Sequence, residues 1–129
     1  MLYRMAQPAP RKPVLVVEDD EDVRAAVAEI LEGEGYEVVV AANGREALDE
    51  LVHVASPSLI LLDLMMPVMG GPEFLRRLRA EWPRLKDVPV LVLTAVATEA
   101  LPGTRGILRK PIIPDELVTA VHRLTGRSA

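Results

Sequence analysis

From Val14 onward, short apolar runs alternate with longer stretches in which apolar residues recur every three or four positions. The runs cover 14 to 17, 38 to 41, 59 to 62, 90 to 93 and 106 to 108, and they are rich in Val, Leu and Ile, as strands of a buried parallel sheet should be. Between the first two, Val23, Ala26, Val27, Ile30 and Leu31 fall on one helical stripe that Gly33 and Gly35 end. A second helix follows Asn43 and Gly44, turns Ala47, Leu48 and Leu51 inward, and stops before Pro57. The third begins at Pro72, a good residue for a first helical turn, and buries Phe74, Leu75 and Leu78 before Trp82 and Pro83 end it. The last starts near Pro114, with Asp115 and Glu116 in its first turn and Leu117, Val118, Val121 and Leu124 as its stripe.

Strand and helix thus alternate. Parallel strands need right-handed crossovers, so the pattern predicts an α/β fold: a parallel sheet with helices on both faces. Sites in such sheets form beyond the carboxyl ends of the strands, which directs attention to the residues there.

The first strand runs into Glu18, Asp19 and Asp20, and the third into Asp63. An acidic cluster commonly marks a helix N-terminus, and Asp22 is expected to cap the first helix. Asp63 does not fit that explanation, because four apolar residues precede it and Leu64, Met65 and Met66 follow. Carboxylates converging in one crevice repel one another unless a cation compensates, and magnesium suits oxygen ligands that leave room for water and phosphate. The fourth strand ends at Thr94 and the fifth leads to Lys110 and Pro111. A threonine often closes a strand, and a lone lysine after one is commonly exposed and contributes little to stability. Together with the acids, however, they complete what phosphoryl transfer to an aspartate requires: a carboxylate nucleophile, a divalent metal, a fixed cation and a hydroxyl donor.

These residues resemble, by motif and by order, the receiver domain of two-component response regulators over residues 13 to 126. VLVVEDDEDVR carries the acidic pair Glu18 and Asp19, LILLDLMMPVMGG carries Asp63 with Pro67 and Gly71, VLVLTA carries Thr94 and Ala95, and Lys110 with Pro111 closes the set. The resemblance implies a CheY-like, flavodoxin-like doubly wound sheet of five parallel strands in order 2-1-3-4-5. It implies that Asp63 is the phosphoacceptor, that Thr94, Ala95 and Lys110 bind the phosphoryl group and switch, and that the Lys110–Pro111 bond is cis. Asp19, Asp63 and the backbone carbonyl of Met65 would hold Mg2+, with Glu18 acting through water and Asp20 a neighbour only. The implied partners are a sensor histidine kinase or phosphotransfer protein and a downstream protein, in the cytoplasm. The domain would assist its own phosphorylation and slow dephosphorylation without being a free-standing enzyme.

The chain departs from the family in one stretch. Thr94 and Lys110 are 110 − 94 = 16 positions apart, and Pro102 and Gly103 interrupt any helix between them. The fourth helix of the family is therefore expected to be shortened or absent, with at most about one or two turns near Ala97 to Leu101. Ile107 stands where relatives tend to carry an aromatic whose rotation follows the switch hydroxyl.

Composition narrows the alternatives. At 129 residues the chain has the size of one domain, and half of its residues are apolar. Its net charge of −4 gives no general grip on nucleic acid, so neither nucleic acid nor membrane is expected as a direct partner. There is no cysteine for a disulfide or thiolate site. Residues 1–12 lack the apolar run of a signal peptide and read as a flexible leader, and 127–129 as a tail, with no output domain attached. A haloacid-dehalogenase-type phosphohydrolase would need a second aspartate where Met65 stands. The remaining rival is a degenerate receiver that binds partners without phosphorylation.

Overall fold

The computed structural model describes residues 12–54, 56–96 and 101–127. Five parallel strands, β1 (Val14–Val17), β2 (Val38–Ala41), β3 (Leu59–Asp63), β4 (Val90–Thr94) and β5 (Ile107–Arg109), lie in the order β2-β1-β3-β4-β5. Four α-helices are found among the described residues: α1 (Glu21–Gly33), α2 (Gly44–His53), α3 (Gly71–Glu81) and α4 (Pro114–Thr125). The alternation of strand side chains sorts the core into two layers. Leu15, Val17, Ile60 and Leu62 pack with Leu48 and Leu51 of α2 and Phe74, Leu75 and Leu78 of α3. Val14, Val16, Leu59, Leu61, Leu91 and Leu93 pack with Val27 and Leu31 of α1 and Leu117 and Val121 of α4.

Several local expectations change. Asp20, not Asp22, caps α1: its backbone is extended, and its Oδ1 accepts from the amides of Asp22 (2.9 Å) and Val23 (3.1 Å). Asp22 already lies inside the first turn, where its carboxylate favours the helix dipole only. Ala26 is exposed, because Val27 and Leu31 alone are buried in α1 while Val23 and Ile30 flank them. β2 is an edge strand, so Val40 is exposed. β5 starts one residue later than the apolar run, at Ile107, because Gly106 bends at φ 147° and hands its carbonyl to Val92 N (3.0 Å). Between β4 and β5 the described residues 95, 96 and 101–106 are non-helical; the rest of the short helix expected at Ala97 to Leu101 lies outside the described residues.

One glycine positions the site. At the start of α3 the Gly71 amide donates to Leu64 O (3.0 Å), and a Cβ there would meet Leu64 Cα at 2.9 Å and Asp63 O at 3.0 Å. Backbone atoms cannot swing aside as a side chain can. Gly71→Ala is expected to cost about 1–3 kcal/mol by overpacking, measured by urea unfolding, and to shift the amide signals of Asp63 and Leu64.

Candidate functional site

In this strand order the chain winds one way from β1 to β2 and the other way through β3 to β5, so a crevice opens where β1 and β3 adjoin at their carboxyl ends. Val17 pairs with Leu62, which brings Glu18 and Asp19 beside Asp63. Asp63 pairs with Leu93, placing Thr94 one residue beyond, and Lys110 N donates to Thr94 O (2.8 Å). Four separate strands therefore deliver the acids, the hydroxyl and the lysine to one edge.

The carboxylates of Glu18, Asp19 and Asp63 each offer an oxygen within 4.8 Å of the others. Lys110 Nζ stands 2.5 Å from Glu18 Oε1 and 3.5 Å from Asp63 Oδ2. Glu18 is fully buried, and the Lys110 side chain is only 19% exposed. The expectation of an exposed lysine is thus corrected: the ammonium is drawn inward by a carboxylate buried away from the surface. The peptide bond after Lys110, to Pro111, is cis. Two amides add support, Asp20 N to Glu18 Oε2 and Met65 N to Asp63 Oδ1, each at 3.2 Å.

Three carboxylates face one ammonium here, and their protonation reflects it. Burial, then the Glu18 and Asp19 carboxylates, push Asp63 up to about 7, with the Met65 amide offsetting a little. Asp19 is held below the usual carboxylate range, chiefly because Asp63 shares its proton with it. For Lys110 burial works downward, but Glu18 and Asp63 outweigh it and the ammonium is held above its ordinary value. The three carboxylates form an all-oxygen donor set of the kind that could hold a hard divalent cation such as Mg2+, whose charge would offset their repulsion.

Thr94 is buried, and its hydroxyl is engaged locally, accepting from Val96 N (3.2 Å) and facing Val96 O (3.3 Å). Ala95 beside it is exposed, and Ile107 is half-buried in β5. Met65 and Val96, 71% and 52% exposed, put apolar side chains on the rim. One neighbour escaped sequence reasoning altogether. Arg24, one turn into α1, reaches back to the carbonyls of Glu18 (2.9 Å) and Asp19 (3.4 Å). An arginine at that spacing carries no signal in the sequence, since only the turn between β1 and α1 brings it there.

Fold and site together define a doubly wound α/β domain with an acid, lysine and hydroxyl pocket at its switch point. The family model of the response regulator receiver domain matches residues 14–122, and the chain belongs to that family. It is therefore a two-component signalling domain and not a classical enzyme. It is 38% identical to response regulator Rre1 of Synechocystis over an alignment of 130 positions that covers 95% of this chain and 54% of that protein. It is 37% identical to the DNA-binding response regulator MtrA of Mycobacterium tuberculosis over 118 residues, 87% of this chain and 50% of that one. The chain thus spans about half the length of these two relatives. The structure of the chemotaxis protein CheY4 of Vibrio cholerae superposes with a TM-score of 0.78 at 35% identity, covering 89% of this chain and 99% of CheY4.

Proposed function

We propose that Asp63 is the phosphoacceptor of a two-component phosphorelay, taking its phosphoryl group from a phosphohistidine of a sensor kinase or phosphotransfer protein in the cytoplasm. The observation that carries this is the convergence of Glu18, Asp19 and Asp63 at the β1–β3 switch point, with Lys110 paired to Glu18 and Asp63. Asp19, Asp63 and the Met65 carbonyl would hold Mg2+, with Glu18 acting through water; when bound, Mg2+ neutralises charge on the phosphoryl oxygens. An Asp63 carboxylate oxygen attacks phosphorus in line, the P–N bond to the imidazole breaks as the P–O bond forms, and the freed histidine nitrogen takes up a proton. Lys110 offsets negative charge on the transferred group from the side of β5. Thr94 would release Val96 and turn its hydroxyl to the new phosphoryl oxygens, with Ala95 leaving space. Ionised Asp63 is the reactive form, and a cation held among Glu18, Asp19 and Asp63 would favour that ionisation against the burial and neighbouring carboxylates that oppose it.

Incubation with a small-molecule phosphodonor, read by intact mass and hydroxylamine sensitivity, tests this. One Mg2+-dependent, hydroxylamine-labile phosphate is expected. No uptake with Mg2+ present would leave the phosphorylation-independent interaction module as the reading. Among the described residues no helix is long and apolar enough to cross a membrane.

Ile107 has no ring to swing, so the response to phosphorylation is expected to run through the segment after Thr94. That segment's described end is fastened to α3, where Arg79 donates to Pro102 O at 2.5 Å. Hydrogen exchange with a phosphoryl mimic at Asp63 is expected to change at residues 95 to 105, and a change confined to α4 would rule this route out.

The lifetime of the phosphoaspartate follows from the rim. Met65 and Val96 cannot orient an attacking water by hydrogen bonding. Replacing them together, Met65→Asn with Val96→Glu, is expected to shorten the lifetime about tenfold or more, followed as loss of the phosphorylated mass with time.

A further inference from the structure

Arg24 occupies a position that helix electrostatics disfavours. It is the fourth residue of α1, where the exposed amide ends of the helix attract acids and repel cations, and Glu21 and Asp22 follow that rule. Its backbone amide is already committed to Asp20 O (2.9 Å), so the side chain is not needed to start the helix. Instead the guanidinium folds back over the loop from β1. One nitrogen, Nη1, donates to Glu18 O at 2.9 Å and lies 3.4 Å from Asp19 O. Among the described residues no loop amide donates to either carbonyl. Arg24 therefore holds the two successive peptide groups that carry the acidic pair.

The consequence is directional. With both carbonyls fastened toward α1, the Cα–Cβ bonds of Glu18 and Asp19 have little freedom to turn, and their carboxylates meet Asp63 within 4.8 Å. The same loop is pinned elsewhere by Glu18 N to Ala41 O (3.0 Å) and by Asp20 N to Glu18 Oε2 (3.2 Å). Without the guanidinium, those two contacts leave the peptide between Glu18 and Asp19 able to rotate. Loss of its charge by itself would favour an incoming cation, so weaker Mg2+ binding in its absence reports the lost positioning and not the lost charge.

We infer that Arg24 is a positioning residue for the cation site, presetting Glu18 and Asp19 for Mg2+ through their backbone carbonyls; this rests on the metal-dependent reading above. Groups that orient ligands from behind are commonly worth 10- to 100-fold in metal affinity. Calorimetric titration of the metal-free chain with MgCl2 is expected to show about tenfold weaker binding for Arg24→Gln. Arg24→Lys, whose single ammonium keeps the charge and can reach one carbonyl, should recover part of that loss. Both variants are also followed by amide exchange at Asp19 and Asp20 without metal, expected to be faster in Arg24→Gln. Wild-type affinity in Arg24→Gln overturns the inference. If the wild type itself binds no Mg2+, the metal-dependent reading falls instead, and unchanged exchange in Arg24→Gln would then overturn the positioning role as well.

Discussion

Asp63→Asn is expected to take up no phosphoryl group under conditions that phosphorylate the wild type fully, and yet to be the more stable protein at pH 8 in chelator. The first half follows from chemistry, because a carboxamide has no nucleophilic oxygen of that kind and is a poorer metal ligand. The second follows from the raised pKa of Asp63. Its folded value of about 7 exceeds the ordinary carboxylate value of 3.8, so between the two the folded chain binds the extra proton. The stability contributed by that protonated form is fully present below pH 4 and is lost as pH rises through 7. Asp19 is shifted the opposite way, so its contribution is present above its ordinary value and is lost only in more acidic solution. Lys110, held above its ordinary 10.5, contributes until the pH rises through its folded value, beyond that same window. Between pH 5 and 8 the Asp63 slope dominates. Removing the charge is expected to raise stability at pH 8 by about 1–3 kcal/mol, below the full value of the shift because Asp19 shares the proton. Urea unfolding at pH 5 and pH 8 in EDTA measures it. Wild type and variant should agree more closely at pH 5, and 10 mM MgCl2 should close the gap at pH 8. A variant less stable than wild type at pH 8 without metal would show that the carboxylates do not repel as the geometry requires.

Lys110→Ala is expected to destabilise the fold as well as to break the response to phosphorylation. The carboxylate of Glu18 is fully buried and its Oε1 lies 2.5 Å from the ammonium, so truncation strands a charge that water cannot reach. Breaking such a pair commonly costs about 3–5 kcal/mol. Here about 2–3 kcal/mol is expected, since Lys110 is partly exposed and the neighbouring acids can take up protons. The check is a double-mutant cycle by urea unfolding at pH 7 without metal. Glu18→Gln should recover much of the stability lost in Lys110→Ala, because an amide leaves no buried charge behind. Additive losses in the double variant would mean that the two side chains do not act as a pair.

The site residues were legible in the sequence for one shared reason. Glu18, Asp63 and Thr94 each interrupt an apolar run at or just after its carboxyl end, and Lys110 follows two residues after the last run. A polar residue that directly follows buried strand residues has to lie at a sheet edge, and in parallel topology all such edges coincide. Their environments were not legible. Lys110 read as exposed because lysine generally is; its burial depends on Glu18, 92 positions away, having no other cation among the described residues. Asp20 and Asp22 are equivalent as letters, and only the extended backbone at position 20 selects the cap. Arg24 carried no signal, because its partners are backbone carbonyls, which every residue has.

Periodicity thus determined the element order, the faces that would be buried and the edge at which the acids meet, since these follow from local spacing and the hydrophobic effect. The tertiary structure decided everything that depends on distances between elements. It brought Lys110 within reach of Glu18, crowded Asp63 until its carboxyl holds a proton near neutrality, pressed the start of α3 against Leu64 so that only Gly71 fits, and exposed Val40 on an edge strand. Each is a property of two or more segments packed together. No window of the sequence contains both partners, and Coulomb and steric energies change over a few ångströms, a finer scale than hydrophobic pattern resolves.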